Sequence, residues 1–78
     1  MENILVQKKE VSIFRTSIND PEKIQFLKKT LDVIIGRKYW NFDLEDKDNI
    51  LRIEANPVVN NFLIQEISKL GFECEELF

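Results

Sequence analysis

Histidine is absent from these 78 residues, and cysteine occurs once, at Cys74. Without histidine there is no general base that titrates near neutral pH. A lone thiol closes no internal disulfide, so no staple and no oxidising compartment is implied. Glycine and proline occur twice each, so no glycine-rich loop is available to cradle a phosphate. No apolar run approaches the roughly 20 residues that span a bilayer, and Met1-Glu2-Asn3-Ile4 lacks the basic start and apolar core of a signal peptide. The expectation is therefore a cytoplasmic protein with no membrane association. The net charge is only −3, which argues against general nucleic-acid binding, since that rests on surplus Lys and Arg.

What is present suffices for a core. Hydrophobic residues make up 44% and charged residues 32%, a globular composition. A chain this short buries only about 60–65% of the surface it exposes when unfolded, so the core must be used fully.

Two stretches share one punctuation. Asn19-Asp20-Pro21-Glu22 puts a cap residue before a first-turn proline and an acid. Ile24, Leu27, Leu31, Ile34 and Ile35 then recur at helical spacing, widened by Phe26. Gly36 ends the helix, followed by Arg37 and Lys38. The second stretch opens on Asn56-Pro57, continues through Val59, Leu63, Ile67 and Leu70, with Phe62 and Ile64 flanking, and closes at Gly71.

Strands are expected over 10–17, 38–44, 49–55 and 72–77. In the first, Val11 and Ile13 alternate against Ser12 and Phe14 and are read as inward. Arg15 shares their parity, which predicts a bulge or strand end beside it. Trp40, Phe42 and Leu44 face one way in the second strand and Tyr39, Asn41 and Asp43 the other. Leu51 and Ile53 point inward in the third, against Arg52 and Glu54. Phe72 and Cys74 point inward in the fourth. The order β-α-β-β-α-β predicts an α+β ferredoxin-like βαββαβ sandwich, a four-stranded antiparallel sheet with two helices on one face. Residues 1–9 form an N-terminal extension, whose Ile4-Leu5-Val6 is an extra strand, a continuation of the first strand or an arm. Residues 10–78 form the domain.

From about Val11 to Leu77 the chain resembles the heavy-metal-associated domain, the fold of small copper chaperones. The resemblance lies in Leu31…Gly36, Trp40-Asn41-Phe42-Asp43-Leu44-Glu45, Leu51-Arg52-Ile53 and Leu70-Gly71-Phe72-Glu73. That family holds metal through Met-x-Cys-x-x-Cys where the first strand meets the first helix. The equivalent stretch here is Ile18-Asn19-Asp20-Pro21-Glu22-Lys23. Ile18 stands at the methionine position, and Asp20 and Lys23 stand at the two cysteine positions. Soft metals need thiolate donors, and an ammonium repels a cation, so the resemblance implies a scaffold that has lost its metal and binds no cofactor.

Each candidate site has a plainer reading beside it. Ile18, Asn19, Asp20, Lys23 and Phe72 form a candidate partner-contact loop, against simple helix capping. Phe14, Tyr39 and Arg52 form a candidate exposed sheet face, against scattered exposed residues without meaning. RNA-recognition domains of similar topology stack bases on such a face, but Arg52 and Glu54 on the third strand lack the aromatics. Cys74 is a redox thiol or a buried small residue. Asp43, Glu45, Asp46 and Asp48 lack the glycine and terminal glutamate of a calcium loop and read as a solvated turn.

No enzyme is expected. The expected function is a non-catalytic protein-interaction or regulatory module, with an unidentified protein partner or a homodimer. Two alternatives stay open. One is a small-molecule sensor resembling the ACT domains, which Asn19-Asp20-Pro21-Glu22 partly echoes without the ligand-side glycine. The other is a residual metal carrier that completes a site with a partner's cysteines through Cys74.

Overall fold

The computed structural model describes residues 9–77. Its elements run β1 (Glu10–Thr16), α1 (Pro21–Ile34), β2 (Trp40–Asp43), β3 (Ile50–Ala55), a 3-10 turn (Pro57–Val59), α2 (Asn60–Lys69) and β4 (Cys74–Glu76). The strands lie in the order β2-β3-β1-β4, with every neighbour antiparallel. This is the α+β, ferredoxin-like arrangement that the twice-repeated strand–helix pattern predicts. The expectations for Ile4-Leu5-Val6 fall outside the described residues.

The local signals act as their chemistry requires. Asp20 has an extended backbone, and its Oδ1 accepts a hydrogen bond from the Lys23 N–H at 2.9 Å, while Pro21 supplies the first helical φ. Gly36 closes α1 at φ 109°, a conformation costly for any other residue. A Cβ there would also lie 3.1 Å from the Tyr39 ring. At the second helix the outcome differs from the single helix expected. Asn56 caps a separate 3-10 turn through Oδ1 to the Val58 N–H (3.0 Å), and α2 proper begins at Asn60 without a side-chain cap.

The core is one cluster built from Phe14, Leu51 and Ile53 of the sheet, Leu27 and Leu31 of α1, Leu63 and Ile67 of α2, and Ile18 of the β1–α1 loop. Both helices therefore cover the same sheet face. Trp40, Phe42, Phe72 and Cys74 pack at its margin.

The parity expected for β1 is wrong. Phe14 is fully buried, and Ser12 and Thr16 are buried with it, whereas Val11 is 58% exposed. Two polar residues can face the core because distant partners satisfy them. Asn60 Nδ2 donates to Ser12 Oγ (3.0 Å), and Thr16 Oγ1 donates to the Asn49 carbonyl (2.7 Å). Of the bulge or strand end expected beside Arg15, it is the strand end that occurs, since β1 stops at Thr16. The β1–β3 register runs unbroken from Glu10↔Ala55 to Arg15↔Ile50. Arg15 simply faces outward, where it pairs with Glu75 on β4.

Candidate functional site

The β1–α1 corner, where the sequence places its contact loop, consumes most of its own polar groups. Besides capping the helix, the Asp20 carboxylate lies 3.7 Å from the Lys23 ammonium. The Lys23 Nζ donates to Asn19 Oδ1 at 2.8 Å. Ile18 is not a contact residue. It is fully buried in the core, and its N–H donates to Thr16 Oγ1 (3.1 Å). Phe72 is brought beside this loop because Ser17 and Glu73 exchange two hydrogen bonds, Ser17 N–H to the Glu73 carbonyl (3.1 Å) and Glu73 N–H to Ser17 Oγ (2.8 Å). Phe72 sits half-buried and meets Phe26 of α1 edge-on, with ring centroids 6.3 Å apart.

The sheet-face triad is split. Phe14 belongs to the core, because the β1 parity is opposite to the one read from Val11 and Ile13. Tyr39 and Arg52 are exposed and, with Val11, Asn41 and Glu54, line a shallow depression of about 100 Å³ on the open face. The Lys9 ammonium lies 3.6 Å from the centre of the Tyr39 ring, a cation–π contact.

Among the described residues, the open edge beside this depression is β2. Asn41 pairs with Arg52 and Asp43 with Ile50, and the Tyr39 carbonyl accepts from the Glu54 N–H at 2.8 Å. In an antiparallel ladder, residues that exchange hydrogen bonds alternate with residues whose backbone groups turn away. Tyr39, Asn41 and Asp43 are the bonded set, so the N–H and C=O groups of Trp40 and Phe42 face the open side. The other edge, β4, spans three residues and carries Glu75 and Glu76.

Cys74 packs half-buried against the core. Burial, and secondarily the charge of Glu76, push its thiol up to about 12. Two of the four acids at the β2–β3 turn, Asp43 and Asp46, brace the turn itself. Asp43 Oδ1 accepts from the Glu45 N–H (3.1 Å) and Asp46 Oδ1 from the Asp48 N–H (2.8 Å). Asn49 then takes the left-handed conformation at φ 51°. Among the described residues, no three His, Cys, Asp or Glu side chains converge as a metal ion would need, and no helix is long and apolar enough to cross a membrane.

Two features escape sequence reasoning. One is Asn60, which is buried and donates through Nδ2 to both Ser12 Oγ and Glu76 Oε2 (3.2 Å), while its own Oδ1 has no partner among the described residues. Nothing local marks a helix-start asparagine as a core residue. The other is a pair of adjoining recesses on the helix side that share Ile34. The first, about 360 Å³, is lined by Lys9, Ile35, Ala55, Val58 and Val59. The second, about 370 Å³, lies between the helices and is lined by Thr30, Val33, Phe62 and Glu66. Val33 is 79%, Val58 75% and Phe62 52% exposed. Their signal in the sequence is weak. Val33 and Phe62 stand off the helical stripes that mark the core.

No protein-family model matches this chain, and no curated protein or solved structure does either.

Proposed function

We propose that this protein is a non-catalytic interaction module that adds an extended segment, from a partner protein or a second copy, along the open edge of β2. The observation that carries this reading is the β2 register, which turns the main-chain groups of Trp40 and Phe42 away from the sheet. Strand addition draws affinity from such a row of donors and acceptors and specificity from adjacent pockets. The depression formed by Tyr39, Arg52 and Val11 lies next to that edge on the open face. The acidic, three-residue β4 offers a poorer template.

The same reading treats the chain as a relative of the heavy-metal-associated domains that has kept the scaffold and lost the metal. It is supported by the chemistry of the corner, where an ion-paired carboxylate and ammonium occupy the positions of the thiolate pair. Titration with Cu(I) or Zn²⁺ should give no stoichiometric site. Tight one-to-one uptake by the monomer contradicts the loss of metal.

The test of strand addition is Phe42→Pro. Proline is tolerated on an edge strand where the N–H faces outward, and Phe42→Ala, which removes the same ring from the margin of the core but keeps the N–H, controls for the lost packing. Sedimentation across a wide concentration range and selection from displayed extended peptides give the binding readout. Association that slows hydrogen exchange at Trp40 and Phe42 and is lost in Phe42→Pro supports the proposal. Binding indifferent to the substitution, or no association of either kind, refutes it.

A further inference from the structure

The two ends of β2 carry opposite charge. Between them, Trp40-Asn41-Phe42 holds no charge, no proline and no bulge, the devices that usually blunt a sheet edge. Arg37 and Lys38, both exposed, lie at the entry to the strand, where the Lys9 ammonium also rests on the Tyr39 ring. Glu54 stands opposite Tyr39, one strand inward. Asp43, Glu45 and Asp46, all exposed, lie at the exit, with Lys47 following them. Arg37, Lys38 and Glu45 make no ion pair among the described residues. We infer that the strand added at this edge is β2 of a second copy of this chain. It runs antiparallel about a two-fold axis at Asn41, so that Trp40 of each copy pairs with Phe42 of the other. This inference rests on the strand-addition reading and commits it to one occupant.

Three observations select this occupant and this register. The first is direction. An antiparallel copy sets the basic entry of each strand against the acidic exit of the other, and the two-fold axis repeats the match at both ends. A parallel copy would set base against base and acid against acid.

The second is the backbone. Trp40 and Phe42 are the residues whose N–H and C=O groups turn away from β3. Pairing Trp40 with Phe42 uses both outward sets, each pair exchanging hydrogen bonds in both directions. An axis at Trp40 would set Phe42 against Lys38, and one at Phe42 would set Trp40 against Leu44, both of them turn residues.

The third is the side chains. Trp40 and Phe42 sit half-buried at the margin of the core and meet edge-on, with ring centroids 6.0 Å apart. The register opposes the Trp40 ring of one copy to the Phe42 ring of the other, and cross-strand aromatic pairs stabilise a sheet. Carried outward along the chain, the same register opposes Tyr39 to Asp43 and Arg37 to Glu45.

The experiment is sedimentation equilibrium on the full chain from about 10 µM to about 1 mM, the range of a weak, small interface. Hydrogen exchange accompanies it. A monomer–dimer equilibrium is expected, with protection of the Trp40 and Phe42 amides that grows with concentration. Arg37→Glu and Glu45→Lys each bring like charges together at both ends of the dimer. Each should weaken association about tenfold at low salt, with the loss shrinking as salt rises. An equimolar mixture of the two variants should recover it, because the new acid at position 37 then faces the new base at position 45 and the native pair is kept at the other end. Recovery on mixing is the supporting result. A dimer indifferent to both substitutions, or not recovered by mixing, overturns the proposal. A chain that stays monomeric at the highest concentration, while a displayed extended peptide protects Trp40 and Phe42, overturns self-pairing and leaves strand addition standing. A dimer that survives Phe42→Pro with those amides unprotected overturns both.

Discussion

The reversal of β1 makes a quantitative demand on two positions three residues apart. If Phe14 fills the core and Val11 faces outward, trimming Phe14 must cost several times more than trimming Val11. Phe14→Ala would remove a fully buried ring, at about 3–5 kcal/mol. A chain of this size holds about 4–12 kcal/mol of stability in total, so that variant risks unfolding outright. Phe14→Leu is the better perturbation. It removes three carbon atoms, and at about 0.8 kcal/mol per buried CH₂ the loss is about 2 kcal/mol. Val11→Ala removes two carbons from a side chain that is already 58% exposed, which scales the same coefficient to about 0.7 kcal/mol. Urea unfolding followed by Trp40 emission reads both. Trp40 is the sole tryptophan, half-buried and anchored by its Nε1 donating to Asp32 Oδ1 at 2.8 Å. With a urea slope of about 1 kcal/mol/M, the midpoint should fall by about 2 M for Phe14→Leu and by less than 1 M for Val11→Ala. Equal slopes in all three proteins are required for the comparison to hold. If Val11→Ala costs more than Phe14→Leu, the sheet faces the other way and the core described above is wrong.

Three further outcomes follow from the polar contacts. The Lys28 ammonium, and then the Trp40 indole N–H, hold the Asp32 carboxyl below its usual range; that contribution is present above the unfolded value near 4 and is lost as pH falls through the lowered folded value. Asp32→Asn should therefore flatten the acid limb of the stability curve, and an unchanged limb between pH 5 and 2 refutes the assignment. The Cys74 thiol, pushed up to about 12 by burial and Glu76, should react slowly with a disulfide reagent at pH 8, with a rate still climbing beyond pH 10. A plateau near pH 9 contradicts it. Because the folded state disfavours this thiolate, the cost to stability appears only above the unfolded thiol's value of about 8.5. Asn60→Asp keeps the shape but replaces two donated hydrogen bonds with a carboxylate facing Ser12 and Glu76. It should cost about 2–4 kcal/mol at pH 7 and less at pH 4, because burial raises the new group's folded pKa. Equal cost at both pH values argues against that buried contact.

The helices were legible because their signals are local. Asp20 and Pro21 start α1 and Gly36 ends it through contacts within a few residues, so a short window of sequence contains the whole cause. The strand order followed from repetition of that unit, and the inward set of β3 from plain alternation of Leu51 and Ile53 against Arg52 and Glu54. The parity of β1 was not legible, because both of its faces carry apolar residues and the deciding partners are remote. Ser12 is satisfied from Asn60, 48 residues away, and Thr16 from Asn49, 33 residues away. The same limit governed the candidate sites. Tyr39 and Arg52 lie exposed on the open face, while Phe14 carries the reversed parity of β1 into the core. Nothing in Ser17-Ile18-Asn19 shows that the Ile18 side chain turns back into the core. The β2 edge emerges only from the order β2-β3-β1-β4, which no single segment carries.

That strand order also governs how the molecule is assembled during synthesis. β1 is made first, yet it ends up in the interior of the sheet, flanked by β3 and β4. Its first neighbour arrives only with Ile50–Ala55, and its second with Cys74–Glu76. A nascent chain therefore carries Phe14 without its flanking strands until nearly all of the described sequence has emerged, since closing such distant pairs precedes any reward from them. Folding of this sheet is accordingly delayed until β4 has emerged, and chains stalled or cut short before that point expose a strand that the finished sheet holds in its interior.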